Sequence, residues 1–248
     1  MLKSTTPVKH DPGFLTLSIH PNRSIFRRYS GVILIYCPPD CREASFPTAR
    51  KGGQRIGYDV QLVIHQVTPS LWPALEDLFG KGGACNGCWC MYWRIGSEYH
   101  RREREMNRSA LHTLVKRGPS PGLLAFDGDR AVGWCQLTPR DELHWLHRAR
   151  FFERVDDVPV WSVSCFYVRR GYRGKGVMSA LIAAAVKEAK RARAPALEAY
   201  PVDAARPEST ANTFTGTSAA FERAGFKTIA LRLASRPIMR HDLKGNAG

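Results

Sequence analysis

The segment around residues 160–191 constrains this chain more than any other. Residues 160–168 (VWSVSCFYV) form a largely apolar run rich in β-branched and aromatic side chains, the pattern of a central strand. The run stops at a basic, glycine-bearing stretch, 169–176 (RRGYRGKG). Apolar pairs then recur at Val177/Met178, Leu181/Ile182 and Ala184/Ala185, with Lys187, Lys190 and Arg191 turned outward, which predicts an amphipathic helix of about 20 residues. A strand, a tight turn and a one-sided helix must pack as a unit, with the helix covering the sheet that holds the strand.

The flanking sequence supplies the rest of that sheet. Residues 60–67 read as a strand and 71–79 as a helix ended by Gly80. A Gly/Cys/Trp-rich stretch covers 82–93, and a charged helix is predicted over 98–117, stopped by Gly118 and Pro119. Two apolar runs, 122–126 and 131–138, flank the polar turn Asp127, Gly128, Asp129 and read as a hairpin. Residues 139–158 form a polar, Arg-rich connection, 196–200 a further strand, 218–224 a short helix and 226–233 the last clear strand. A hairpin before a strand–helix–strand unit gives a mixed sheet, so the fold class is α/β (α+β). Residues 1–57 carry prolines and basic residues without period and read as a flexible N-terminal extension, leaving 58–248 as the domain.

Charge and cysteine content narrow the partners. The chain carries a formal charge of +15, and its 44% hydrophobic composition is that of a globular protein. A field of that sign attracts nucleic acid, acidic lipid or a phosphate-bearing cofactor. The mixed-sign helix face and the basic extension come without a helix-turn-helix, RNP or finger signature, which argues against a dedicated nucleic-acid binder. There is no apolar run long enough to span a membrane and no export signal, so a cytoplasmic protein with reduced thiols is expected. Cys85, Cys88, Cys90 and His100 lack the paired spacing of a structural zinc site, and no metal is expected.

The strand-to-helix turn carries the chemistry. The first turn of a helix has amides without intrahelical partners and the positive end of the helix dipole, and it binds anions. Gly174 and Gly176 allow close approach to that backbone, while Arg169, Arg170, Arg173 and Lys175 add charge, so a pyrophosphate fits. Neither a P-loop nor a dinucleotide fingerprint is present.

Residues 168–182 resemble motif A of the GNAT superfamily, the Gcn-type acetyl-CoA-dependent N-acetyltransferases. Its pattern, Arg/Gln-x-x-Gly-x-Gly/Ala, is met here by Arg173 and Gly176, with Met178 departing at the last position. The stretch Phe221-Glu-Arg-Ala-Gly-Phe226 looks like the closing YEKxGF helix of that family. The segment CWCMYW at 88–93, with GWCQ at 133–136 and RPIMR at 236–240, is similar to a bacterial GNAT subgroup of unassigned substrate. The resemblance implies a mixed, splayed sheet with acetyl-CoA between strands 160–168 and 196–200. Pantetheine would then lie along the backbone of Phe166, Tyr167 and Val168. The pyrophosphate would sit on Arg173, Gly174, Lys175, Gly176, Val177, Met178 and Ser179.

It further implies direct acetyl transfer to an amine of a small molecule or peptide, with acetyl-CoA as co-substrate. A homodimer is compatible with this reading. In the family a tyrosine on the closing helix commonly protonates the departing thiolate, and the matching residue here is Phe221. Tyr200 is the substitute acid expected from the sequence. Glu198, on the same strand face, is the expected base. Cys165 has no neighbouring group in sequence that would activate it and reads as a buried small residue. Aromatic residues at 89–93 would line an acceptor pocket or pack the core. Two other functions remain open at this point, a CoA-binding domain without transferase activity and a basic nucleic-acid-binding protein.

Overall fold

The computed structural model describes residues 28–29, 32–33, 61–205 and 213–243. The expected extension lies mostly outside these residues; within it, a two-residue ladder joins Arg28–Tyr29 to Val32–Ile33, apart from the main sheet. In the domain, β1 (Leu62–Gln66) pairs antiparallel with β2 (Gly122–Asp127). The predicted polar turn then leads into the long β3 (Arg130–Pro139), and β3 pairs antiparallel with β4 (Trp161–Val168). β5 (Ala196–Ala199) lies parallel to β4. β6 (Lys227–Ala230) and β7 (Ile238–Asp242) complete a seven-stranded sheet of order β1-β2-β3-β4-β5-β7-β6.

The helices are α1 (Trp72–Phe79), α2 (Tyr92–Ile95), α3 (Arg104–Arg117), α4 (His144–Arg148), α5 (Val177–Arg191) and α6 (Ser218–Arg223). The charged helix starts later than its composition predicts. Residues Gly96–His100 form a 3-10 turn instead, and buried Asn107 ties that turn down by donating to the carbonyls of Tyr99 and Gly87, each at 2.9 Å. The polar connection expected over 139–158 is partly helical, because Leu143 and Leu146 are fully buried and draw α4 onto the domain.

Each sheet face has its own core. On one face Leu123, Ala125, Cys135, Leu137, Val163 and Phe166 pack beneath α5 and α6. On the other, Leu124, Phe126 and Trp134 meet α1 and α3, with Cys165 and Tyr167 against them. Val163 and Phe166 are three residues apart yet share a face, which strict alternation forbids. The cause is a bulge: Gln136 pairs with Cys165 and Leu137 with Val163, leaving Ser164 without an opposite residue. A third cluster, including Trp93, Leu146, Phe152, Tyr200 and Ile238, closes the end of the sheet near that bulge.

Glycine at 133 seats α5. A Cβ there would come 2.5 Å from Val177 Cγ1, so only glycine lets the first residue of α5 rest on β3. No helix among the described residues is long and apolar enough to cross a membrane.

Candidate active site

β4 and β5 are partners for only three residue pairs, Trp161 with Leu197, Ser162 with Glu198 and Val163 with Ala199. Beyond them β4 continues through Ser164 to Val168 paired with β3 alone. The bulge sits where the strands part, and it is strapped to the loop at 88–93. Ser164 Oγ donates to Gln136 Oε1 at 2.8 Å, Gln136 Nε2 donates to the Cys90 carbonyl at 3.1 Å, and Trp93 Nε1 donates to the Ser164 carbonyl at 2.9 Å.

At the far end of β4 the chain passes through a 3-10 turn, Arg170–Tyr172, into α5. Gly174 and Gly176 take φ of 75° and 81°, a left-handed backbone that glycine adopts without strain. The first helical bond runs from Ala180 N to the Gly176 carbonyl at 3.0 Å, so the amides of Val177, Met178 and Ser179 have no intrahelical acceptor. Among the described residues no side chain caps them. A Cβ on Gly174 or Gly176 would meet nothing within 4 Å, so the space above these amides is open.

The side chains around the turn divide into two sets. Arg169 is already engaged, donating to Asp77 at 2.6 Å and to the Ala131 carbonyl at 3.1 Å, and it fastens β4 to its neighbours rather than adding charge to an anion site. Arg173 is exposed, with Nε donating to the Val168 carbonyl at 3.2 Å, and Lys175 Nζ lies 5.3 Å from the Tyr172 ring centre. Met178 packs inward on the first core, near Gly216, so its bulk leaves the amides uncovered. The ring of Phe166 lies on the same core, 6.0 Å from Phe221, while Tyr167 crosses to the other face and meets Phe79 at 5.6 Å. For these strand residues, only the backbone runs along the split. Open amides, left-handed glycines and an unpaired strand edge fit a pyrophosphate with an extended amide-bearing arm.

Glu198 and Tyr200 do come together, as their shared strand face predicts. Tyr200 is fully buried, and its hydroxyl donates to Glu198 Oε2 at 2.9 Å, accepts from Arg140 Nη1 at 3.2 Å and lies 3.0 Å from Ser162 Oγ. Glu198 Oε1 accepts from Arg240 Nη2 at 2.7 Å, and Arg240 also grips Asp156. Burial, reinforced by the Glu198 charge, pushes the Tyr200 pKa well up. A tyrosine hydroxyl has one proton and two acceptor sites, and all are used here. The sequence-expected acid and base thus form a closed network.

Thr215 went unnoticed in the sequence. It lies in the 3-10 turn Thr213–Thr215 that packs against β4, its side chain is fully buried, and among the described residues its Oγ1 has no hydrogen-bond partner. The next residue, Gly216, is pressed against Phe221, Phe166 and Met178. An orphaned buried hydroxyl costs about 1–3 kcal/mol. Nothing in the sequence around Thr215 signals it, because only the fold brings it to the split.

Among the described residues the cysteines give no activated nucleophile. Cys88, Cys90, Cys135 and Cys165 are free thiols, whereas Cys85 is disulfide-bonded, against the expectation of reduced thiols throughout. Cys90 Sγ donates to Cys165 Sγ at 3.3 Å and accepts from Trp134 Nε1 at 3.1 Å. Burial pushes Cys88 up to about 12, and the Cys90 contact together with burial raises Cys165. Among the described residues no group of three metal-ligating side chains comes together.

Trp89 and Cys90 pack into the second core, while Tyr92 and Trp93 turn to the third cluster. There Trp93, Phe152 and Phe214 form an aromatic wall: Trp93 lies 5.7 Å from Phe152 and 6.4 Å from Phe214. Tyr200 lies at its base, 5.5 Å from Phe152. Arg236 stands over the Phe152 ring at 5.7 Å.

Comparison with curated proteins returns no match. Among solved structures, an N-acetyltransferase from Staphylococcus aureus Mu50 is 16% identical, with 74% of this chain and 99% of that one covered and a TM-score of 0.44. yncA from Salmonella typhimurium, solved with its cofactor acetyl-CoA, is 13% identical over 75% of this chain and 96% of its own, TM-score 0.45. The paia N-acetyltransferase from Thermoplasma acidophilum, in complex with coenzyme A, is 17% identical over 73% and 98%, TM-score 0.43. The model of the acetyltransferase (GNAT) family matches residues 88–211, half of the chain, a span that contains the bulged strand, the glycine turn and the helix it opens. The chain belongs to the GNAT acetyltransferase family.

Proposed function

We propose that the chain transfers an acetyl group from acetyl-CoA to an amine within a ternary complex. The observation that carries this reading is the pairing of two features on one strand. β4 loses its neighbour after Val163, and its far end delivers uncapped amides opened by Gly174 and Gly176. In this reading the amides of Val177, Met178 and Ser179 hold the pyrophosphate, aided by the helix dipole. Arg173 and Lys175 meet the phosphates from solvent. The backbone of Phe166, Tyr167 and Val168 pairs with the pantetheine arm as a further strand would. When bound, acetyl-CoA supplies an activated thioester. Thr215 stands beside the split in this reading, in the turn that packs against β4.

We assign Tyr200 and Glu198 to fixing the floor of the acceptor side, because their hydroxyl and carboxylate are consumed by Arg140, Ser162 and Arg240. Phe221 has no proton to give. The departing thiolate, from a thiol of pKa about 8.5, leaves without an obligatory protein acid and is protonated from solvent. The alternative, a CoA-binding domain without transfer, is motivated by Phe221.

Calorimetry with acetyl-CoA, followed by thiol release across an amine panel, tests the reading. Binding with turnover on at least one amine supports it. Binding without thiol release on any amine favours the alternative, and absence of binding at millimolar acetyl-CoA overturns both.

A further inference from the structure

We propose that the acceptor is an amine that also carries a carboxylate, and that Arg236 holds that carboxylate. The proposal deepens the acetyl-transfer reading and rests on it for the position of the thioester.

Arg236 differs from the other arginines at this end of the sheet. Buried Arg94 pairs with Glu142 at 2.9 Å, buried Arg140 with the Tyr200 hydroxyl and the Phe152 carbonyl, and half-buried Arg240 with Glu198 and Asp156. Arg236 is likewise half-buried, yet among the described residues no acceptor and no carboxylate meets its guanidinium. Its contacts are the face of Phe152 and the electrostatic neighbourhood of Tyr92. Burial lowers its pKa to about 10, so it stays charged at neutral pH in a setting that disfavours the charge. A guanidinium is a planar fork of donors that matches a carboxylate in two parallel bonds, and one left half-buried without an anion is suited to recognise one.

The surroundings set where the rest of the acceptor lies. Phe152, which carries Arg236, touches Tyr200 at the end of β5 and Trp93, whose indole holds the bulge of β4. Of this cluster Tyr92, Phe214 and Arg236 are half-buried, and an apolar or planar body lying across them would run from Arg236 toward the split beside β4, with its amine at the thioester end. Tyr92 completes the anion end: its hydroxyl is bonded by Trp145, and the Trp145 ring sits where a Cβ on Gly96 would be, 2.3 Å away. Glycine at 96 is what allows that indole to reach Tyr92.

The test is calorimetry on the CoA-saturated full chain with amino acids whose amine and carboxylate are separated by an apolar or planar body, such as 6-aminohexanoate and 4-(aminomethyl)benzoate, beside their carboxamides. Carboxylates should bind at least tenfold more tightly than the matching amides, and Arg236→Met should erase that difference while leaving CoA affinity unchanged. Arg236→Lys, which keeps the charge without the fork, should retain part of it. Equal affinity for acid and amide in the unaltered protein overturns the proposal, as does binding of neither, or a preference that survives in Arg236→Met. Thiol release measured on the same panel separates the two readings. Turnover on uncharged amines alone sinks the carboxylate and spares acetyl transfer, whereas carboxylate binding without any thiol release does the reverse.

Discussion

Trp93 donates its indole N–H to the carbonyl of Ser164, the one residue of β4 that the bulge leaves unpaired, across 2.9 Å. The bond joins the loop at 88–93 to the point where β4 and β5 part. Trp93→Phe keeps an aromatic ring and removes the donor, leaving a buried carbonyl without this partner. An unfolding free energy lower by about 1–3 kcal/mol is expected, read by denaturant titration. An unchanged midpoint would mean that the strap does not hold the bulge.

Gly176→Asp separates the helix from the site. Aspartate at an N-cap accepts bonds from the first-turn amides and favours the helix, which offsets the cost of a left-handed backbone for a non-glycine residue. Stability should therefore change by no more than about 1 kcal/mol. Affinity for acetyl-CoA should fall at least tenfold, because the carboxylate occupies the amides that would bind phosphate. A variant that binds as tightly as the unaltered chain removes the pyrophosphate assignment.

Tyr200→Phe distinguishes a positioning role from a proton-transfer role. Loss of the hydroxyl leaves Glu198, Ser162 and Arg140 each short of a partner in a buried setting. Stability should drop by about 1–3 kcal/mol, and the pH profile of kcat should keep its shape. If a limb of that profile disappears instead, the hydroxyl is the acid that the sequence suggests.

The buried thiols predict an alkaline limit. Burial raises Cys88 from an ordinary 9.0 to about 12, so in the folded state the neutral thiol is favoured. Below pH 9.0 the group is neutral in both states and the stabilisation is complete. As pH rises from 9.0 toward 12 the unfolded chain ionises first, and stability falls. Denaturation midpoints measured across that range should decline, and a Cys88→Ala variant should decline less steeply. The native thiols should also react slowly with an aromatic disulfide reagent at pH 8.

Much of the fold is legible locally. The two apolar runs of β2 and β3 around Asp127, Gly128 and Asp129, buried on both faces, and the helical spacing of Val177, Leu181 and Ile182 are local signals of this kind. β7 was not anticipated. It begins after Pro237, carries Arg240, His241 and Asp242, and lacks a continuous apolar face, so nothing local marks it as a strand between two others. It is held there by antiparallel pairing on both edges and by burial of Ile238 and Met239, while Arg240 meets Glu198 on β5 and Asp156 in the loop before β4. The late start of α3 has the same origin, since Asn107 bonds to Gly87 and Tyr99, which sequence distance hides.

The proposed cofactor side lies in one continuous stretch, from Phe166 to Ser179, because strand, turn and first helical amides follow one another in the chain. Sequence alone determines such an anion cradle: it needs only glycines and a helix start, both of which are local. The proposed acceptor side draws on Trp93, Tyr200 and Arg236, which lie far apart in the chain. Whether a hydroxyl is free or saturated, or a guanidinium paired or waiting, depends on which partners the packing brings within about 3 Å. That is why tertiary structure alone turned Tyr200 and Glu198 into a closed network and left Arg236 without an anion.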